Sequence, residues 1–129
     1  MQVATLIGDV VASRQSPDRA RLQDQLSSVL AEVSELIEAR LAMTLGDEFQ
    51  GRFDRLDTAI AASWHLHVRT LGIARLRIGL GWGEIFVDTG QAAPFGQDGP
   101  AWWRARDAIE VVESTSHPLR TVVKTETEW

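Results

Sequence analysis

Two amphipathic helical stretches set among compact apolar runs, with a Gly46-Asp47 pair between two short extended runs, predict an α+β domain. In chain order the elements read strand, helix, strand, strand, helix, strand, then a strand, a helix and a strand. The first six are the ferredoxin-like βαββαβ arrangement, an antiparallel sheet with helices mainly on one face. The last three form a C-terminal strand-helix-strand extension, and residues 1–129 read as one domain.

Val3 to Ile7 is short and mostly apolar, with little alternation, which fits a strand covered on both faces. The stretch SRQSPDRA then carries a helix start. Ser16 suits the cap, Pro17 the first helical position, and Asp18 the positive end of the dipole. Leu22, Leu26, Val29, Val33 and Leu36 recur at three- and four-residue steps, with Leu30 and Ile37 widening the stripe.

Leu41 to Leu45 and Glu48 to Phe53 read as a hairpin around Gly46-Asp47, because a turn with Gly first is a mirror-image type that joins antiparallel strands. Phe49, Gly51 and Phe53 share one face, and Glu48, Gln50 and Arg52 the other. Asp57 and Thr58 start a second helix carrying Ile60, Trp64, Val68 and Leu71 and ending near Gly72. ARLRIGLGWGEIFVD reads as a strand, a glycine bend and a second strand, with Leu76, Ile78 and Leu80 on the core side. Gly79, Gly81 and Gly83 have the wrong spacing for a dinucleotide fingerprint and mark a bulge or a close backbone approach. A surface loop over 89–99, a helix from Pro100 to Glu113 and a strand from Leu119 to Lys124 complete the chain.

Bulk properties narrow the function. Thirteen Lys plus Arg against eighteen Asp plus Glu give 13 − 18 = −5, with no basic run, a poor match for nucleic acid or anionic membranes. The chain has no cysteine, which removes thiol nucleophiles, thiolate zinc sites and disulfides and suits a cytoplasmic location. No targeting segment or membrane span is visible. His65 and His67 are two apart on a helix and do not share a face, and His117 stands alone before a proline.

The chemistry concentrates on carboxylates. In a ferredoxin-like sheet the first and third strands are neighbours, so Asp9, at the end of the first, meets Asp47 at the tip of the second-third hairpin. Two carboxylates that close repel unless a cation sits between them. Mg²⁺ takes one or two protein carboxylates and completes its shell with water and phosphate oxygens. The helix N-terminus after Asp9 favours phosphate, and Ser13 and Arg14 lie on the way to it. Glu48 is a supporting contact or a solvent-facing strand residue. Asp47 as a plain turn residue and Asp9 as a local cap are the structural alternatives.

LIGDVVASR, TLGDEFQG, RIGLGWGEI and GPAWWRARDA, in this order, resemble the SatD family of bacterial proteins over nearly the whole chain. More distantly they resemble the class III nucleotidyl cyclases and GGDEF diguanylate cyclases, whose catalytic domains share a ferredoxin-like core. The resemblance implies that Asp9, Asp47 and the backbone carbonyl of Val10 bind Mg²⁺ or Mn²⁺, which holds a nucleoside triphosphate. It also implies a homodimer, for which Trp102-Trp103 offers one core residue and one contact residue.

The sequence departs from the cyclase pattern at several positions. The Asn and Arg that support the cyclase transition state on a late helix fall at Trp103 and Asp107, with Arg104 and Arg106 as neighbouring substitutes for phosphate binding. The adenine-selecting Lys falls at Met43, and Leu45 stands in place of the first Gly of the GGDEF signature. Metal binding survives such changes more readily than cyclisation. The expectation is a metal-dependent nucleotide- or phosphate-binding regulatory domain; the alternative is a catalytically silent interaction module.

Overall fold

The computed structural model of the protein describes residues 1–12, 16–86, 97–115 and 120–126. Its elements are β1 (Gln2–Val10), α1 (Arg19–Ile37), β2 (Arg40–Met43), β3 (Phe49–Phe53), α2 (Leu56–Arg69), β4 (Leu76–Glu84), α3 (Pro100–Ser114) and β5 (Thr121–Lys124). The strands form one sheet in the order β2-β3-β1-β4-β5. β1 runs antiparallel to both β3 and β4, as the ferredoxin-like core requires, while β5 joins β4 in parallel and makes the sheet mixed. A parallel neighbour needs a crossover, and α3 supplies it.

Strand parity divides the packing into two layers. Ala4, Leu6 and Val10 of β1 and Leu76, Ile78 and Leu80 of β4 meet Leu22, Leu26, Leu30 and Val33 of α1 and Leu66 of α2 in the main core. Ile7, on the other face, packs with Trp102, Ala105 and Ile109 of α3 in a smaller cluster. Two of the three helices therefore cover one face and α3 covers the other. The buried Thr5 hydroxyl ties β1 to α3 by donating to the Ala101 carbonyl at 2.8 Å.

Three local readings are corrected. β4 is a single nine-residue strand where a bend and a second strand were expected, so the extension reduces to α3 and β5. Its glycines give α3 room, because a methyl at Gly79 or Gly81 would land on the α3 backbone at Ala105 and Ile109 or at Ala101 and Ala105. The close-approach reading of these glycines holds and the bulge reading does not.

α1 starts at Arg19, with Asp18 and not Ser16 as its cap; the Asp18 carboxylate accepts the Arg21 N–H at 3.0 Å. Asp caps at least as well as Ser, and here it is the acid that reaches the free N–H.

α2 presents the opposite face to that expected. Ala59, Ala62, Ser63 and Leu66 are buried, whereas Ile60, Trp64, Val68 and Leu71 are exposed, Trp64 by 67%. Small side chains bring α2 close to its neighbours, so the larger stripe turns outward. On α1, Leu36 is also exposed, at the far edge of an otherwise correct stripe. No helix among the described residues is long and apolar enough to cross a membrane.

Candidate functional site: a carboxylate cleft at the end of the central strands

The β2-β3 hairpin closes with two backbone hydrogen bonds, Thr44 N–H to the Glu48 carbonyl at 2.8 Å and Glu48 N–H to the Leu45 carbonyl at 3.2 Å. Gly46 takes φ +62°, the left-handed region that glycine enters without strain, and Asp47 follows it without needing positive φ. Because Met43 pairs with Phe49, the connection spans 44–48 and is longer than the two-residue one expected. Because β3 lies beside β1, this turn sits next to the end of β1. Asp9, Val10, Asp47 and Glu48 consequently line one cleft of about 350 Å³ with Arg19, Leu45, Gly46 and Arg77. The two acids expected to meet share this cleft.

Both acids already face cations. Arg77, across the β1-β4 ladder from Asp9, donates its Nε–H to Asp9 Oδ1 at 2.8 Å. Arg19, in the first turn of α1, donates from Nη2 to Asp47 Oδ2 at 3.0 Å, and Gln23 one turn on donates from Nε2 to Oδ1 at 3.1 Å. Arg19, Gln23 and Arg77 were not singled out in the sequence. For Arg77 the signal was available, because a strand-end acid on an inner strand needs a partner and Arg77 alternates with the core residues Leu76 and Ile78.

A further acid comes from the end of α3. Burial first, and the nearby Asp9 carboxylate second, hold the Glu113 carboxyl above its ordinary range, while the Arg77 cation pulls in the opposite sense. Nothing in the local sequence around Glu113 points to Asp9; only the crossover of α3 brings the two together.

Glu48 belongs to the cleft because β3 begins at Phe49, so strand alternation does not govern its side chain. It accepts Arg106 Nη2 at 2.7 Å and Gln50 Nε2 at 3.1 Å. Arg106 in turn lines a second cleft of about 380 Å³, with Ile7, Gln50, Gln97, Trp102, Trp103 and Asp107. The Glu48–Arg106 pair thus links the two spaces. In the second, Trp102 Nε1 and Gln97 Oε1 are a buried donor and a buried acceptor without a partner among the described residues. Trp103 is exposed, stacks edge-on against Phe86 at 5.6 Å and donates its indole N–H to Asp98 at 2.8 Å.

The remaining expected residues fall elsewhere. Arg104 donates from Nη1 to the Trp82 carbonyl at 2.9 Å and packs beside Gly83, apart from the residues that line the two clefts. Ser13, Arg14 and His117 lie outside the described residues.

The donor set of the first cleft is all hard oxygen, which suits Mg²⁺ or Mn²⁺ and not softer ions. Among the described residues no group of three or more His, Cys, Asp or Glu forms an all-protein cage. Two carboxylates and a carbonyl still fit the way Mg²⁺ is usually held, with water and phosphate completing the shell.

The fold has well-defined relatives. A bacterial light-regulated adenylyl cyclase superposes with a TM-score of 0.74 at 14% identity, covering 95% of this chain and 74% of that one. The guanylate cyclase domain of RhGC from Catenaria anguillulae, in complex with GTP, gives 0.68 at 14% identity over 84% of this chain and 72% of that one. A dimeric guanylyl cyclase domain of the RhoGC fusion protein from Blastocladiella emersonii gives 0.67 at 13% identity over 84% and 73%. At such identities the likeness concerns the fold, and this chain has the architecture of a cyclase catalytic core. No curated protein matches the sequence. Residues 3–124, all but the chain ends, match the SatD family, and the chain is a member of that family.

Proposed function

We propose that this domain binds a nucleotide or another phosphate ligand through Mg²⁺ or Mn²⁺ held by Asp9 and Asp47, with the Val10 carbonyl in the same shell, and that it acts as a sensor or regulator. The observation that carries this reading is the shared cleft: two acids from distant parts of the sequence line one space beside the start of α1. A divalent ion there would supply charge to hold phosphate oxygens. The chain's own part is to fix the two carboxylates from the end of β1 and the tip of the hairpin. The adjoining cleft with Trp102, Trp103, Gln50 and Gln97 supports a nucleotide in particular, since it offers apolar rings and polar edges next to a phosphate-sized space. Glu48 and Arg106 would then lie between the two halves of the ligand.

Cyclisation is not part of the proposal, because Trp103 and Asp107 occupy the positions where the cyclases use Asn and Arg. The domain acts as a homodimer in this reading, with exposed Trp103 and Phe86 available for the contact. A second reading, a silent interaction module, is favoured by the exposed stripe of Ile60, Trp64 and Val68 on α2 and Leu71 just past its end.

Thermal melting with ATP or GTP and Mn²⁺ separates the two. A ligand that binds only the folded state stabilises it by about 2.7 kcal/mol at a hundredfold excess over Kd. The expected result is a metal-dependent rise in Tm that Asp9→Asn and Asp47→Asn abolish. Absence of any metal-dependent shift in the wild type with either nucleotide favours the silent module.

A further inference from the structure

Resting on that metal-binding reading, we infer that the Asp9/Asp47 cleft takes a divalent metal and a polyphosphate only as a complex, with Arg19 and Arg77 as the phosphate ligands. The inference comes from the two ion pairs, Arg77–Asp9 at 2.8 Å and Arg19–Asp47 at 3.0 Å. Each carboxylate that would hold the metal is already neutralised by an arginine that would otherwise be free for phosphate.

Charge decides what can enter. A bare divalent cation must either break both pairs or bind the carboxylates with the two guanidinium groups still on them, and in both cases it faces like charge at close range. A bare polyphosphate can recruit the arginines, but it then faces Asp9, Asp47 and Glu48 around the same cleft. Either ligand alone trades a satisfied pair for a like-charge contact in a partly buried space, where screening by solvent is weak. When both enter, the carboxylates pass to the metal and the guanidinium groups pass to phosphate oxygens. Each of these four side chains then keeps an opposite partner.

The pairs are also asymmetric in the required sense. The Asp47 and Asp9 side chains are 12% and 24% exposed, whereas those of Arg19 and Arg77 are 47% and 30% exposed. The acids are the more enclosed halves, fixed by a tight turn and a central strand. The arginines are the long outer halves, whose planar forks match phosphate oxygens two at a time. Gln23 remains on Asp47 Oδ1 and keeps that carboxylate aimed into the cleft while Arg19 leaves.

Calorimetry on the whole chain tests this with three probes: Mn²⁺ alone, tripolyphosphate in the presence of chelator, and the preformed Mn²⁺–tripolyphosphate complex. The wild type should bind the complex at least about tenfold more tightly than either component, within the usual range of coupling between two ligands. In Arg19→Gln/Arg77→Gln, bare Mn²⁺ should bind at least about tenfold more tightly than in the wild type, while the complex weakens. Arg19→Gln alone, at an exposed helical position, should move both affinities in the same directions by less and covers failure of the double variant to fold. Arginines that only neutralised the carboxylates would, on removal, tighten bare metal and complex alike, so weakening of the complex is the readout that assigns them to phosphate.

Equal wild-type affinity for Mn²⁺ and for the complex, or unchanged Mn²⁺ affinity in the arginine variants, overturns the inference and leaves the metal reading standing. Failure of every probe to bind the wild type and the variants overturns both.

Discussion

The two faces of the sheet are built on opposite principles. Against α1 and α2 the strands present Leu6, Leu76, Ile78 and Leu80, and large aliphatic side chains fill the gap. Against α3 the same strands present Thr5, Gly79 and Gly81, and the gap is closed by letting helix and sheet backbones approach. The first face gains stability from apolar area removed from water. The second gains it from close dispersion contacts and a few specific hydrogen bonds. One face tolerates added volume poorly and lost volume worse; the other, outside the small Ile7–Trp102–Ile109 cluster, has little to lose and no room to gain.

That contrast predicts opposite responses to substitution. The largest effect is expected from Leu26→Ala on the thick face. Leu26 is 1% exposed and central to the main core, and such truncations cost about 2–5 kcal/mol through lost transfer energy and a residual cavity. Urea denaturation checks it, and a loss below about 1 kcal/mol would show that the main core collapses to fill the space.

Next in size is Gly81→Ala on the thin face. In an open strand, replacing Gly by Ala stabilises by about 0.5–1 kcal/mol. Here the new methyl meets the Ala101 carbonyl and the Ala105 amide, so the sign reverses to a loss of about 1–3 kcal/mol. Gly83→Ala is the sharper comparison, because its methyl meets mainly the guanidinium end of Arg104, which can move. Its cost should stay below about 1 kcal/mol. Equal costs at Gly81 and Gly83 would mean that α3 as a whole, and not its backbone at Ala101 and Ala105, resists the approach.

The same contrast explains what could be read from the sequence. The thick face is written in large residues, so α1, β3 and the core side of β4 follow from periodicity and β1 from its short apolar run. The thin face is written in residues that are missing. Three glycines in β4 look like a bend because local propensity disfavours glycine in a strand, and only the presence of α3 reveals their use. On α2 the error has the same origin. The small residues Ala59, Ala62 and Ser63 carry the close packing, while the conspicuous stripe with Trp64 faces outward.

The candidate site divides along the same line. Asp9 and Asp47 were legible because strand order follows from the element pattern, and strand order brings their backbones together. Their partners were less so. Arg19 reaches Asp47 across the α1-hairpin gap, and Glu113 reaches Asp9 only through the α3 crossover. Side-chain pairing across elements depends on tertiary placement, which no local pattern encodes.

The smallest effect tests the edge where the α2 face meets the added strand. His67 of α2 approaches the Thr121 hydroxyl of β5 at 2.7 Å through Nε2, and Ser63 meets the same hydroxyl at 2.6 Å. Burial first, and the Arg120 cation second, hold the imidazole below its ordinary value of 6.5, and its Nδ1 is buried without a partner among the described residues. A histidine depressed in the fold is protonated more readily in the unfolded chain. Its contribution to stability is therefore complete above the unfolded value and declines as pH falls from there through the lower folded value. Denaturation midpoints measured from about pH 7 down to about pH 5 should show this decline in the wild type. His67→Gln, which keeps a polar group near Thr121 and cannot titrate, should flatten it. An unchanged slope in that variant would assign the decline to other groups, and the α2–β5 contact would then be insensitive to the charge on His67.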